Sequence, residues 1–140
     1  MEPPSVVGSS AIARSCDVIL EMLRSFGNAA ADFTAFRGEV QTLRKFLDLI
    51  ERIRGANASR TPFEEEHFSD LEALLERCRS TLSRLCEILA DLKANYQRAA
   101  PQDALQQALK TMQNPETAAL RARLGFYIQS LQMSLQTIKL

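Results

Sequence analysis

The chain has 140 residues, 46% of them hydrophobic, and its 17 Lys and Arg balance 17 Asp and Glu. That length and apolar content suit one domain with one core, and they exclude a chain disordered by composition. Formal neutrality excludes a nucleic-acid binder that works through overall charge, because long-range attraction to phosphate needs a basic excess.

The first helix is expected over 5–26, after the Pro3-Pro4 pair and before Gly27-Asn28, a helix-ending signal. Its inward stripe is Ile12, Cys16, Ile19, Leu20 and Leu23, while Arg14, Asp17, Glu21 and Arg24 share another side. Val18 and Met22 fall outside that stripe and widen the apolar arc beyond what a bundle surface helix needs. Either this is the most buried helix or part of that arc, with Val6 and Val7, is a candidate contact surface for a partner or lipid.

The second helix, 29–54, carries Phe33, Phe36, Val40, Leu43, Leu47 and Ile50 in alternating steps of three and four, and gives way to a loop at Gly55–Ser59. The third, 62–97, opens on a capping box in which Thr61 caps, Pro62 takes the first helical position and Glu64 reaches back. Leu71, Leu75, Cys78, Leu82, Leu85, Leu89, Leu92 and Tyr96 then repeat in the manner of a coiled-coil seam. Glu64, Glu65, Glu66 and Asp70 sit at its start and Lys93 and Arg98 at its end, as the helix dipole prefers.

Pro101 ends that helix and opens a short one, 102–112, with Leu105 and Leu109 inward. Asn114-Pro115 starts the last, 115–139, whose stripe is Leu120, Leu124, Tyr127, Leu131, Leu135 and Ile138. Helices of this length joined by short breaks fold back on one another. The expectation is all-α: an antiparallel four-helix bundle of long helices, with a short extra helix before the last one, forming a single domain over 1–140.

Within the last helix, "LGFYIQSLQMSLQTI" (Leu124 to Ile138) has no charged residue. At 1.5 Å per residue it spans about 22 Å, short of a bilayer core. Gln129, Gln132 and Gln136 line the side opposite its leucines, so it reads as an amphipathic helix with a neutral polar face. Desolvating glutamine costs less than desolvating charge, which makes Phe126, Gln129 and Met133 candidates for contact with another chain or a downstream domain. The end at Lys139-Leu140 carries no helix-stopping Gly or Pro, and reads as a boundary or an early stop inside a longer helix.

Residues that carry chemistry are sparse. His67 is the only histidine, set in an acidic turn and read as solvated. Neither GxxxxGK[ST] nor GxGxxG occurs, so no phosphate-cradling loop is present. Glu64-Glu65-Glu66 are consecutive on a helix and point in different directions, which argues against a metal cluster. Cys16, Cys78 and Cys86 have neither CxxC spacing nor a signal peptide ahead of them, and read as structural thiols of a reduced, cytoplasmic protein. No catalytic residue, cofactor or metal ligand is expected.

Four stretches resemble a known group. The opening Met1-Glu2-Pro3-Pro4-Ser5-Val6 is similar to the M-[D/E]-P-x-S-V start of fungal N-terminal domains that head STAND (NLR-like) proteins, a HeLo-like group. "EVQTLRKFLDLI" at 39–50 resembles the group's second helix. "LEALLERCRSTLSRL" at 71–85 resembles its L-x-x-x-L-x-x-C-x-x-x-L-x-x-L segment, with Cys78 at the cysteine, and "RLGFYIQSLQMSLQTI" at 123–138 resembles its closing motif. A similar domain heads a protein of fungal azaphilone pigment clusters. The resemblance implies a helical signalling or effector module at the N-terminus of a longer protein, which self-associates and, in HeLo-type relatives, engages membranes through its first helix. Here Arg14, Asp17, Glu21 and Arg24 depart from the apolar first helix of that group.

The resulting expectation is a non-enzymatic domain acting by self-association, with downstream domains of its parent as further partners, no nucleic acid, and membrane lipid engaged conditionally on activation. The competing expectation is a constitutive assembly scaffold that pairs along the third helix and never binds membranes.

Overall fold

The computed structural model describes residues 4–26, 31–56 and 62–138, with side chains over 11–26, 31–53 and 66–136. Five helices are formed: α1 (Pro4–Phe26), α2 (Ala31–Ala56), α3 (Pro62–Arg98), α4 (Pro101–Gln113) and α5 (Pro115–Ile138). There is no strand among the described residues. The stop at Gly27-Asn28, the centre of the Gly55–Ser59 loop and the Thr61–Glu64 capping box lie outside the described residues or side chains.

The fold is an all-α helical bundle. α1 packs on α2 and α3, α5 packs on the same two helices, and α4 covers the joint between α3 and α5. The four long helices therefore close a ring in the order α1, α2, α5, α3, with α1 and α5 at opposite corners. Helix directions follow from cross-contacts. Asp17 pairs with Arg44, while Phe26, further along α1, stacks on Phe33, earlier in α2, so these two helices run in opposite senses. His67 and Arg84 of α3 meet Ser134 and Glu116 of α5 in reversed order, giving a second opposed pair. Cys86 meets Ser15 and Tyr96 meets Phe26, so α1 and α3 run the same way side by side.

The α3 seam is the spine of the core: Leu71, Leu75, Cys78, Leu82, Leu85, Leu89 and Leu92 are all buried, with Tyr96 packed against them. Ile12, Cys16, Ile19 and Leu23 of α1 and the phenylalanine stripe of α2 fill the centre. At one end Phe26 stacks on Phe33 with ring centroids 5.1 Å apart and takes the edge of Tyr96 at the same distance. Such pairs add to simple area burial.

Three readings of inward stripes change, the first being Leu20 of α1, which is only half-buried. In α4 the buried residues are Ala104, Ala108 and Met112, whereas Leu105 is 39% exposed and Leu109 only half-buried. This helix lies close against its neighbours, so the small side chains face them and the larger ones flank the contact. In α5 Ile128 joins the buried leucines in the place expected of Tyr127, which is half-buried beside it.

Truncating Leu82, fully buried at mid-seam, to alanine is expected to cost about 2–5 kcal/mol in urea unfolding. Leu105→Ala should cost less than about 1 kcal/mol; equal costs would contradict this packing of α4.

Candidate interaction surface

The orientation of α5 is set at its first turn. Asn114 leaves α4 in an extended conformation, and its Oδ1 accepts the Glu116 N–H at 2.8 Å, with Pro115 at the first helical position. Glu116 then accepts two hydrogen bonds from Arg84 of α3, Nε at 2.8 Å and Nη2 at 3.0 Å. That bidentate contact holds the Glu116 carboxyl below its ordinary range.

Along α5, Arg121 donates to Glu39 of α2 at 3.2 Å and lies 5.4 Å from the centre of the Phe36 ring. Near the far end, His67 Nε2 donates to the Ser134 carbonyl at 3.1 Å, so His67 is a half-buried tie between α3 and α5 and not the solvated side chain the sequence suggested.

With these ties in place Leu120, Leu124, Ile128, Leu131 and Leu135 face inward. The opposite face then consists of Ala119, Ala122, Phe126, Gln129, Met133 and Gln136, all exposed. Phe126 is 63% and Met133 68% exposed, far above the other large apolar side chains of this helix. The Phe126 ring sits edge-on to Tyr127 with centroids 6.1 Å apart, which shields one side of it. Arg121 is turned to Glu39 and Arg123 lies at the stripe's margin, so the stripe itself is uncharged. Of the residues singled out in the sequence, Phe126, Gln129 and Met133 are brought together here.

The first-helix candidates are not brought to this face. Val18 is 50% exposed but stands among the charged side chains of α1, where Asp17 pairs with Arg44 at 3.0 Å and Glu21 with Arg24 at 3.5 Å. Met22 is only 7% exposed, which corrects its reading as a contact residue. The cause is topological: α1 lies in the angle between α2 and α3, and a helix with two neighbours buries a wider arc than one stripe. Val6 and Val7 lie outside the described side chains. Since α1 and α5 occupy opposite corners of the ring, Val18 and Phe126 belong to separate surfaces.

Sequence reasoning placed Gln136 on the neutral outer face with Gln129 but missed Ala119 and Ala122. The signal was present, since Ala119, Phe126 and Met133 are spaced by seven, as are Ala122, Gln129 and Gln136. This second heptad pattern faces away from the core one, which leaves α5 apolar on two sides.

Elsewhere the chemistry is quiet. Burial pushes the Cys16 and Cys78 thiols up to about 12 and also raises that of the half-buried Cys86, whose Sγ donates to the Ser15 carbonyl. Among the described residues, no group of three or more His, Cys, Asp or Glu side chains converges to hold a metal ion. A cleft of about 320 Å³ between α3, α4 and the start of α5 is walled by Asp91, Asn95, Gln107 and Lys110 over Ile88 and Leu92. No family model, curated protein or solved structure matches the chain.

Two outcomes follow. Met22→Glu places a charge in the core and should destabilise by more than about 3 kcal/mol, whereas Val18→Glu should stay within about 1 kcal/mol in thermal unfolding. At pH 8 the folded protein should take up iodoacetamide slowly at all three thiols, since a thiol pKa raised by folding leaves little thiolate, and rapidly in denaturant. The sign is that of a raised pKa: the thiols' contribution to stability is intact below about pH 9 and fades as the pH climbs toward 12. Mass spectrometry of labelled peptides reads the first effect directly.

Proposed function

We propose that this chain is a non-enzymatic helical interaction domain that works by self-association, with the outer face of α5 as its contact surface. The observation that carries this reading is the uncharged outer stripe of α5, on which Phe126 and Met133 stand exposed one heptad apart. Exposed apolar residues scattered singly are ordinary, but an aligned set on a rigid helix marks a surface that gains from being covered. Burying a Phe or Met side chain contributes about 1.5–3 kcal/mol, and the neighbouring glutamines lose less on leaving water than charges do.

The α3 seam that a constitutive coiled-coil scaffold would use is consumed inside the bundle. The resemblance to STAND N-terminal domains supports self-association as well, because it implies a module that oligomerises. The membrane route it also implies draws no support from α1, which exposes Arg14, Asp17, Glu21 and Arg24 and buries Met22. No helix among the described residues is long and apolar enough to cross a membrane.

Sedimentation of the full chain over a wide concentration range tests the proposal. The mass should rise from the 15.7 kDa monomer toward the dimer, with a dissociation constant on the order of micromolar to tens of micromolar. Phe126→Glu should keep the helical spectrum and remain monomeric. A wild-type chain that stays monomeric throughout, or a variant that associates unchanged, overturns the reading. In co-flotation with anionic and neutral vesicles the chain should stay with the buffer; binding lost in Val18→Glu would move the function to α1.

A further inference from the structure

We infer that two copies of the chain pair through α5 in antiparallel sense, in the register that sets Phe126 of each copy against Gln129 of the other. This rests on the self-association reading and specifies its geometry. The occupant follows from charge. The stripe from Ala119 to Gln136 offers no charged side chain, so an acidic or basic partner finds nothing to pair with, whereas a second copy meets it with an equally neutral face.

The orientation follows from side-chain size. On the stripe the small residues, Ala119 and Ala122, lie toward the N-terminal end of α5, and the long ones, Phe126, Gln129, Met133 and Gln136, toward the C-terminal end. A parallel pair would stack alanine on alanine in two layers and Phe126 on Phe126 and Met133 on Met133 in others, leaving a gap beside a crowded stretch. Gaps forfeit dispersion contacts on both walls. In the antiparallel register, Ala119 meets Gln136, Ala122 meets Met133 and Phe126 meets Gln129, and each occurs twice by the two-fold symmetry. Most layers then join one small residue to one long one.

The flanks agree with this register. Arg123 of one copy comes opposite Ser130 of the other, and Gly125, beside which a Cβ would meet nothing within 4 Å, leaves room for Gln132. No like charges are opposed. The area is modest: Phe126 and Met133 together leave on the order of 250 Å² exposed per copy, so with the alanines and glutamines two copies would bury about 1,000 Å² in all. That is the lower end for specific association and fits a reversible dimer.

Disulfide mapping tests the register while leaving Phe126 and Met133 intact. Ala119→Cys and Gln136→Cys are made separately on a Cys86→Ser background, checked for dimerisation by sedimentation, and oxidised with copper-phenanthroline alone and as an equimolar mixture. The 119–119 separation in the antiparallel pair is about 25 Å along the helix, beyond the reach of a disulfide. The expected result is a linked dimer in the mixture only, with the 119–136 peptide found by mass spectrometry. Homodisulfides in each variant alone would overturn the antiparallel register while leaving self-association standing. A chain that does not dimerise at all would overturn both.

Discussion

Covering the α3 seam is the constraint on which the other helices depend. The seam runs from Leu71 to Leu92 on a 37-residue helix, longer than any other in the chain. No single neighbour can cover it. The contacts of Ser15 with Cys86 and Phe26 with Tyr96 place α1 along its later half, and those of Ser134 with His67 and Glu116 with Arg84 place α5 along its earlier half. Where α5 runs out, α4 takes over beside Ile88 and Leu92. The short helix is the cap on the stretch that α5 leaves open, and its buried face is small because it must fit against helices already packed.

The polar ties then fix position rather than drive association. Surface ion pairs contribute little net stability, and Arg84–Glu116 and Asp17–Arg44 are at least partly in water. Burial of the leucines sets which face is inward, and the ties join the helices at fixed points along their length. This matters most for α5, which has apolar residues on two sides and so lacks the strong amphipathic signal that orients the other helices. Arg121 is the most buried of the cross-helix cations, and its double engagement with Glu39 and Phe36 turns one flank of α5 toward α2. The His67 contact turns the other flank toward α3. With both flanks committed, the Phe126–Met133 stripe is left on the exposed side of the helix.

Much of the fold was legible in the sequence because its helices carry single, regular stripes. The α2 stripe of Phe33 to Ile50 and the α3 seam of Leu71 to Leu92 are buried as their spacing implies, and the helix ends follow Pro62, Pro101 and Pro115. Legibility failed where a residue's environment depends on how many helices surround it. Periodicity gives the direction of a side chain but not the width of the buried arc, which is why Met22 was read as outward. In α4, periodicity favours the larger residues, whereas close packing buries Ala104 and Ala108 instead of Leu105. The α5 surface was half legible: Phe126, Gln129 and Met133 stood out, but alanines give no signal until one knows that they face outward.

The chemistry of that surface explains how one helix serves two requirements. A face of leucines would associate irreversibly or draw the chain into aggregates, and a face of lysines and glutamates would resist leaving water. Alanine, glutamine and two exposed large side chains lie between these limits. Tyr127 covers one edge of Phe126, so the monomer is tolerable in solution. Glutamine can exchange hydrogen bonds with water for bonds across an interface at small net cost. Under the proposed self-association, the free energy left over would be of the size that local concentration can decide. A surface so balanced is what the proposed reversible pairing requires of α5.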